Sequence, residues 1–381
     1  MASMYVHIPF CEHKCIYCDF YSITLHGQRG DQPQSIQQFL QALRQEIDLR
    51  RCDPFVLPDY DTVYFGGGTP SLLPPSGIQE ILGWLGSAYR IVSEAEITLE
   101  VNPGTVDRER LAAFRNAGIN RVSIGIQSFH DDDLAFLTRI HSSQQARECV
   151  RAVREAGFDN ISIDLIFSLP GQTLRRWQEN LEQAVALRPS HLSCYSLIVE
   201  PGTPLFRMVQ SKQVQLIDTE RDAELYEYTI EFLERHGYGQ YEVSNFALPG
   251  KMSRHNSRYW DHSDYLGFGP SAHSFWIDRR WWNIPNLQTY CDRLGQGLPP
   301  VAGEESLSAL QMMEESIFLG LRSEGLDLAR FRHRFGRDLR KEFRDVIDRL
   351  VRDGLARIEK SHLRLTRKGY LLCDEICQTF R

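Results

Sequence analysis

Three cysteines stand within eight residues near the start of the chain, and their side chains are the best suited to chemistry. Cys11, Cys15 and Cys18 have the spacing C-x3-C-x2-C and follow a short apolar stretch. Clustered thiolates bind soft metal ions or iron–sulfur clusters. A cluster held by three thiolates leaves one iron open to a small chelating ligand. The alternative, a zinc site, needs a fourth ligand, for which His7 and His13 are the candidates.

Further polar residues lie on or beside apolar stretches between residues 60 and 170. A glycine run, Gly66-Gly67-Gly68-Thr69-Pro70, lacks the Gly-Lys-Ser/Thr ending of a P-loop but opens backbone groups to close approach by a ligand. A tight turn explains the run equally well. Glu100 and Asp164 are suited to bind an ammonium group and hydroxyls, and Arg139 is suited to pair with a carboxylate. An internal network of salt bridges is the alternative.

The elements that must position these residues alternate between strand and helix patterns. The apolar strand-like runs span 4–8, 62–65, 96–101, 121–126, 160–167 and 191–199. Six consecutive β-α units predict a parallel sheet with crossover helices. Polar residues late in several strands are typical of the top of a barrel, whereas a doubly wound sheet has its site at one switch point. The sequence therefore predicts an α/β fold with a partial (β/α)6 TIM-like barrel.

The rest of the chain divides near residue 300. We expect the barrel over 1–235, a connecting segment with aromatic and histidine motifs over 236–300, and a smaller α+β, winged-helix-like C-terminal domain over 301–381. Within the connecting segment, the pattern predicts a loop at Gly267–Ser274. Residues 327–370 hold 14 Lys and Arg against 7 Asp and Glu. That excess indicates a solvated helix face, or docking on an acidic membrane surface or partner.

Composition limits the class of protein. The 381 residues carry a net charge of −7, which argues against bulk electrostatic coating of nucleic acid. The nine cysteines are an odd number, and no apolar run is long enough to cross a bilayer. The first four residues lead directly into a strand, which leaves no room for a signal peptide. We therefore expect reduced thiols and a cytoplasmic location.

The cysteine spacing with Gly-Gly-Gly-Thr-Pro one strand later resembles the radical S-adenosylmethionine (SAM) superfamily. Longer phrases resemble the oxygen-independent coproporphyrinogen oxidase family over nearly the whole chain. These phrases begin at Tyr5 (YVHIPFC), Glu100 (EVNP), Arg121 (RVSIGIQSF), Leu137 (LTRIH), Asp164 (DLIFSLP), Tyr241 (YEVSNFA) and His255 (HNSRYW).

The resemblance implies a cofactor set and the residues that hold it. Cys11, Cys15 and Cys18 are implied as ligands of a [4Fe–4S] cluster whose open iron is chelated by the amino and carboxylate groups of SAM. The implied SAM contacts are Tyr5, Tyr17, Gly67, Gly68, Thr69, Glu100, Gln127, Arg139 and Asp164. It also implies that the partial barrel is of the radical SAM type.

Two departures separate the chain from coproporphyrinogen dehydrogenases. Phe20 occupies the position of a fourth cysteine, and only four residues precede Tyr5. Both departures resemble the HemW branch, whose members are described as haem chaperones. This implies haem as a further ligand, and haem-accepting proteins, including membrane-bound respiratory ones, as partners. His255 is the candidate axial ligand, with Tyr259 and Trp260 packing on the porphyrin; His191, His262 and His273 are alternatives.

Three functions follow as hypotheses. The first is a haem-binding and haem-delivering protein that keeps the cluster and the SAM site and needs an electron donor; peripheral membrane contact accompanies this hypothesis. The second is a radical SAM enzyme that cleaves SAM to a 5′-deoxyadenosyl radical and acts on a tetrapyrrole propionate. The third, a zinc-containing DNA-binding regulator, is disfavoured by the acidity and the six β-α units.

Overall fold

The computed structural model describes residues 1–25, 32–51, 55 and 58–380. The strands in these ranges are β1 (Ala2–Ile8), β2 (Phe10–Cys11), β3 (Ile23–Thr24), β4 (Asp59–Gly67), β5 (Arg90–Val101), β6 (Arg121–Gln127), β7 (Ile161–Phe167), β8 (His191–Ser196), β9 (Gly239–Gln240), β10 (Asn245–Ala247), β11 (Tyr265–Phe268), β12 (His273–Trp276), β13 (Arg279–Asn283), β14 (Val301–Ser306), β15 (Leu326–Asp327), β16 (Ala356–Glu359) and β17 (His362–Leu365).

The helices within the same ranges lie mainly between the strands. They are α1 (Gln32–Arg50), α2 (Pro75–Ala88), α3 (Arg108–Asn116), α4 (Asp131–Phe136), α5 (Ser143–Glu155), α6 (Leu174–Ala186), α7 (Pro204–Gln210), α8 (Thr219–Arg235), α9 (Arg254–Trp260), α10 (Leu287–Gly295), α11 (Ala309–Leu321), α12 (Leu328–Phe335), α13 (Leu339–Glu342), α14 (Arg344–Arg352), α15 (Arg367–Leu371) and α16 (Cys373–Gln378). None of these helices is long and apolar enough to span a membrane.

The main sheet has the order β14-β13-β12-β11-β1-β4-β5-β6-β7-β8-β10-β9. Strands β1 and β4 to β8 pair in parallel, so their carboxyl ends share one edge. These are the six strands that the sequence predicts, and the helices between them bury apolar faces such as Ile78, Ile81 and Leu85 of α2. Within the described residues β14 and β9 lie at the sheet edges. The partial barrel is confirmed.

The connecting segment and the residues directly after it add strands that the sequence does not reveal. β11 pairs in parallel with β1, and β12, β13 and β14 follow antiparallel. The predicted loop at Gly267–Ser274 is therefore wrong at both ends, where its residues belong to β11 and β12. The backbone does approach closely at this position, since a Cβ on Gly267 would lie 2.0 Å from the carbonyl oxygen of His273.

A second hydrophobic core lies in the C-terminal part. It includes Ile317 and Leu321 of α11 with Leu363 of β17 and Ile376 of α16. The three short strands have the order β15-β17-β16. Helices followed by the β16–β17 hairpin give the winged-helix-like, α+β arrangement expected from the sequence. The predicted ranges 1–235, 236–300 and 301–381 remain a proposal; Arg381 lies outside the described residues.

Candidate cluster and cofactor site

A cavity of about 510 Å³ runs along the inner face of the parallel strands. It is lined by the cysteine loop and by residues of β4 to β8, and therefore collects side chains that lie far apart in the sequence. Eleven predicted site residues line it: Cys11, Cys15, Tyr17, Cys18, Gly67, Gly68, Thr69, Glu100, Gln127, Arg139 and Asp164. Two other predicted residues, Tyr5 and His255, are not among its lining residues.

The cysteine loop leaves the carboxyl end of β1 and is closed by the parallel pairing of β2 with β3. All three cysteines are free thiols; Cys11 and Cys15 are buried, and Cys18 is half-buried. The Thr69 hydroxyl donates to Sγ of Cys11 at 3.7 Å. Arg139 donates from Nη1 to Sγ of Cys15 at 3.5 Å. These donors are placed to stabilise negative charge on the two sulfurs.

The buried thiols of the cysteine loop ionise only when a positive charge lies beside them. Burial raises the pKa of Cys11 and raises the pKa of Cys18 to about 11, so both are protonated near neutral pH. A bound iron–sulfur cluster would deprotonate them, as metal ions do to coordinating thiols. Three thiols from one loop facing one cavity fit the [4Fe–4S] cluster that the resemblance implies.

A zinc ion fits this loop less well. Zinc needs four ligands, but His7 uses Nε2 to donate to the carbonyl of Tyr21 at 2.8 Å and accepts at Nδ1 from the Tyr5 hydroxyl at 3.0 Å. Among the residues that the structure describes, no three His, Cys, Asp or Glu side chains are grouped to hold one metal ion. A four-iron cluster does not require such convergence, because each thiolate binds a different iron.

The glycine run packs directly on the cysteine loop. Gly68 and Thr69 donate their backbone N–H groups to the carbonyls of Ile8 and Phe10, at 2.8 and 2.7 Å. Gly67 has a φ of 115°. A Cβ on Gly68 would lie 2.6 Å from the carbonyl oxygen of Phe10. The glycines are therefore required by the contact between two loops, and their backbone also lines the cavity.

A backbone irregularity aims Gln127 into the cavity. The register between β6 and β7 shifts between Gly125 and Gln127, and Gln127 has a φ of 70°. Such strain in a residue other than glycine is typical of functional sites. Nearby, Arg139 donates from Nη2 to Oδ1 of Asn102 at 2.6 Å and to the carbonyl of Gly125 at 2.8 Å. Arg139 thus connects the ends of β5 and β6 to the cysteine loop.

Two buried carboxyl groups lie on the inner face of the sheet. Burial raises the pKa of Glu100 to about 7, although its Oε1 accepts from the Tyr64 hydroxyl at 2.7 Å. Burial also raises the pKa of Asp164, which accepts from the Ser123 hydroxyl at 3.1 Å. A cationic ligand beside Glu100 would favour its ionised form. The pair therefore suits an ammonium group and hydroxyls, the groups that SAM offers.

Tyr5 and His255 lie behind the cavity wall. The Tyr5 ring stacks against Tyr64, with ring centroids 6.2 Å apart. His255 is 1% exposed, and its Nδ1 and Nε2 are hydrogen-bonded to Thr62 at 2.7 Å and Tyr259 at 3.0 Å. Burial lowers the pKa of His255 to about 3. Haem ligation by His255 therefore requires these bonds to be exchanged, and its assignment stays a prediction.

Tyr64, Asn102 and Arg121 also line the cavity, and the sequence motifs assign no role to them. Alternation within β6 is the signal that identifies Arg121, since Arg121, Ser123, Gly125 and Gln127 all line the cavity. Val122, Ile124 and Ile126 between them are buried in the apolar core. This alternation groups Arg121 with Gln127 on one face. Because both faces of the strand are buried, however, the alternation does not by itself show which face lines the site.

Comparisons with known proteins agree with this geometry. The family model of the radical SAM superfamily matches residues 5–184, and that of the HemN C-terminal domain matches residues 307–372. The first range contains every predicted cluster and SAM residue. The second contains most residues of the second hydrophobic core.

The similarity to curated relatives covers the full chain. The chain is 36% identical to the heme chaperone HemW of Bacillus subtilis, over 100% of this chain and 99% of that one. It is 32% identical to the heme chaperone HemW of Lactococcus lactis, over 99% and 97%. A mitochondrial radical S-adenosyl methionine domain-containing protein 1 of Danio rerio is 38% identical, over 72% of this chain and 61% of the relative.

A solved structure shows the same fold. Coproporphyrinogen III oxidase (HemN) of Escherichia coli, a radical SAM enzyme, superposes with a TM-score of 0.83 at 26% identity, over 100% of this chain and 89% of the oxidase. Sequence relatives at more than 30% identity over their full length establish family membership. The chain belongs to the HemW family of the radical SAM superfamily.

Proposed function

We propose that the chain binds haem and delivers it to haem-dependent proteins, while its cavity holds a [4Fe–4S] cluster and SAM. The observation that carries the proposal is the full-length similarity to proteins named heme chaperone HemW, including 36% identity to that of Bacillus subtilis. Haem-accepting proteins are thus the partners. Membrane-bound respiratory enzymes are the acceptors that we propose, and the cytoplasm, which keeps thiols reduced, is the proposed location.

The mouth of the cavity supports binding of a flat apolar ligand. Phe20, Tyr195 and Ile198 line the cavity and are 63%, 41% and 66% exposed. Exposed apolar side chains grouped at one opening mark a binding surface. Phe20 occupies the position of the oxidase's fourth cysteine, so an apolar contact replaces a thiol at this opening.

The cavity residues have separate roles in this proposal. Cys11, Cys15 and Cys18 hold the cluster, and Arg139 and Thr69 stabilise the sulfur charge. Glu100 binds the ammonium group of SAM, and Asp164 binds its ribose hydroxyls. When both are bound, the reduced cluster would supply the electron for reductive cleavage of SAM. A separate electron donor would be required to reduce the cluster.

A second candidate function is oxidation of a tetrapyrrole propionate, as in coproporphyrinogen III oxidase. The observation that favours it is the set of predicted SAM residues around the cavity, within a fold that matches the oxidase at a TM-score of 0.83. Phe20 opposes it, because the oxidase pattern has a cysteine there.

One anaerobic experiment separates the two functions. The cluster is reconstituted in the full chain, and SAM, a reductant and either haem or coproporphyrinogen III are added. We expect stoichiometric haem binding, followed by transfer to an apo-haem protein, without tetrapyrrole turnover. Formation of protoporphyrinogen would assign the chain to the oxidases, and absence of haem binding would refute the chaperone function.

The axial ligand is tested by single substitutions. Among His255, His191, His262 and His273, only His273 has an exposed side chain. We expect His255→Ala to shift the haem absorption band and weaken haem binding at least tenfold, with the exposed His333→Ala as the control. An unchanged spectrum in His255→Ala together with a shifted one in His273→Ala would move the assignment to His273.

A further inference from the structure

Two guanidinium groups line the cavity, and their surroundings differ. Arg139, beside the thiols, is hydrogen-bonded to Cys15, Asn102 and the carbonyl of Gly125. Arg121 is 1% exposed, and its Nε has no hydrogen-bond partner. The Arg121 side chain forms no hydrogen bond or ion pair with any residue in the described part of the chain. A buried charge is costly unless nearby opposite charges or a bound ligand compensate for it.

Arg121 stands at the start of a strand whose other end lies near the cysteine loop. It is the first residue of β6, whereas Gln127 is the last, and both line the cavity from the same face. Six residues of strand span about 20 Å. The thiols and the glycine run lie at the carboxyl ends of the strands. The strand positions that line the cavity therefore extend from the level of the cysteine loop to Arg121.

The charged groups around Arg121 determine which anionic ligand would bind there. Glu100 and Asp164 are close enough for the positive charge of Arg121 to lower their pKa values, although burial raises both overall. His191 and His255 are neutral, because burial lowers their pKa values and Arg121 lowers them further. Two nearby carboxyl groups would repel a phosphate dianion more than a monoanion. A carboxylate also matches the planar, bidentate geometry of a guanidinium.

We propose that the guanidinium of Arg121 anchors a carboxylate of a ligand that enters the deep end of the cavity. The proposal rests on the proposed function, because haem carries two propionates and SAM carries one carboxylate. A propionate is the favoured source, since the resemblance places the SAM carboxylate on an iron of the cluster. In this arrangement Arg121 orients the tetrapyrrole relative to SAM.

The test compares ligands that differ only in the carboxylate. Haem is compared with haem dimethyl ester, and SAM with decarboxylated SAM, by equilibrium binding to the reconstituted full chain. The variants are Arg121→Gln and Arg121→Lys. Arg50→Gln is the matched control, because Arg50 is also buried but is bound to Glu46 and Asn283. Melting temperatures of the ligand-free variants are measured in parallel.

We expect wild type to bind haem about 10- to 100-fold more tightly than the ester, as a charge-assisted pair predicts. Arg121→Gln should reduce the ratio to about 1, Arg121→Lys should retain part of it, and Arg50→Gln should retain all of it while melting at a lower temperature. If Arg121→Gln instead abolishes the difference in affinity between SAM and decarboxylated SAM, Arg121 binds a carboxylate, and that carboxylate belongs to SAM.

The proposal fails if both ratios in Arg121→Gln equal those of the wild type. A lower melting temperature with unchanged ratios would assign Arg121 to the fold and would also overturn it. If the wild type binds neither haem nor its ester, the proposed haem function fails. The SAM pair then still tests Arg121 by itself.

Discussion

Phe20 shows how one side chain changes the chemistry of a loop. It lies two residues after Cys18, where the oxidase pattern has a fourth cysteine, and its side chain is 63% exposed at the cavity mouth. A thiol there would be a further metal ligand or redox group, whereas phenylalanine offers only apolar contact area. The substitution leaves the three cluster thiols in place and alters the opening through which a second ligand passes.

Glu100 gives a pH dependence that can be measured. Burial raises its pKa from the ordinary 4.5 to about 7, so the folded protein retains a proton that the unfolded chain releases earlier. The stability due to this proton is complete below about pH 4.5 and is lost as the pH rises through 7. The difference corresponds to an upper bound of about 3 kcal/mol in the free energy of unfolding.

We therefore expect Glu100→Gln to reduce the loss of stability between pH 5 and pH 8 by up to that amount, because a neutral amide carries no charge to bury. Urea unfolding of the ligand-free protein at both pH values measures it. The exposed Glu304→Gln is the control. Equal pH dependence in wild type and Glu100→Gln would contradict the prediction.

At the scale of elements, the contact between the glycine run and the cysteine loop controls the site. Both loops leave neighbouring parallel strands, β1 and β4, and are joined through backbone hydrogen bonds. Parallel pairing thus places the predicted cluster ligands beside the backbone that is predicted to contact SAM. The contact leaves no room for a side chain at Gly68, because a Cβ there would lie 2.6 Å from the carbonyl oxygen of Phe10 and 3.0 Å from Sγ of Cys11.

We expect Gly68→Ala to displace the cysteine loop and to lower both the iron bound per chain after reconstitution and the affinity for SAM, the latter at least tenfold. Iron analysis and SAM titration measure these effects. Gly83→Ala in α2 is the control, since a Cβ at Gly83 meets nothing within 4 Å and alanine favours helix by about 1 kcal/mol. Normal iron content in Gly68→Ala would show that the loops separate without loss of function.

The elements that the sequence identified are those with strong local patterns. The six parallel strands agree with the prediction to within a few residues at most ends, because long apolar runs determine them. Strands β9 to β13 were missed. They are short, rich in aromatic or polar residues, and formed by pairing with the edges of the main sheet rather than by local periodicity.

At the scale of the whole molecule, charge is unevenly distributed. Residues 327–370 carry a formal charge of +7 within a chain of −7, and Arg340, Lys341 and Arg344 are exposed. Several of these cations pair with neighbouring acids, such as Arg344 with Asp348 at 3.8 Å. Exposed pairs of this kind are weak, so the net positive charge remains available to an acidic surface.

We predict that the full chain binds vesicles containing anionic lipid and that binding weakens with salt. Arg340→Glu with Arg344→Glu should reduce binding at least tenfold, since each basic residue contributes about 1 kcal/mol near such a surface. Arg175→Glu on α6, an equally exposed cation of the barrel, is the control. Co-sedimentation at two salt concentrations measures vesicle binding. Equal binding by the wild type and all variants would assign the positive charge to a solvated helix face.

The sequence by itself predicted the cluster ligands and determined the class of fold. The cysteine spacing is local, and six strand–helix units need a parallel sheet to bury their apolar runs. Only the tertiary structure decided which polar side chains share the cavity. Arg121 and Tyr64 line the cavity, whereas His255 is buried outside its lining. Strand register brings together residues that lie more than 100 positions apart, and a strand buried on both faces does not reveal locally which face lines the site.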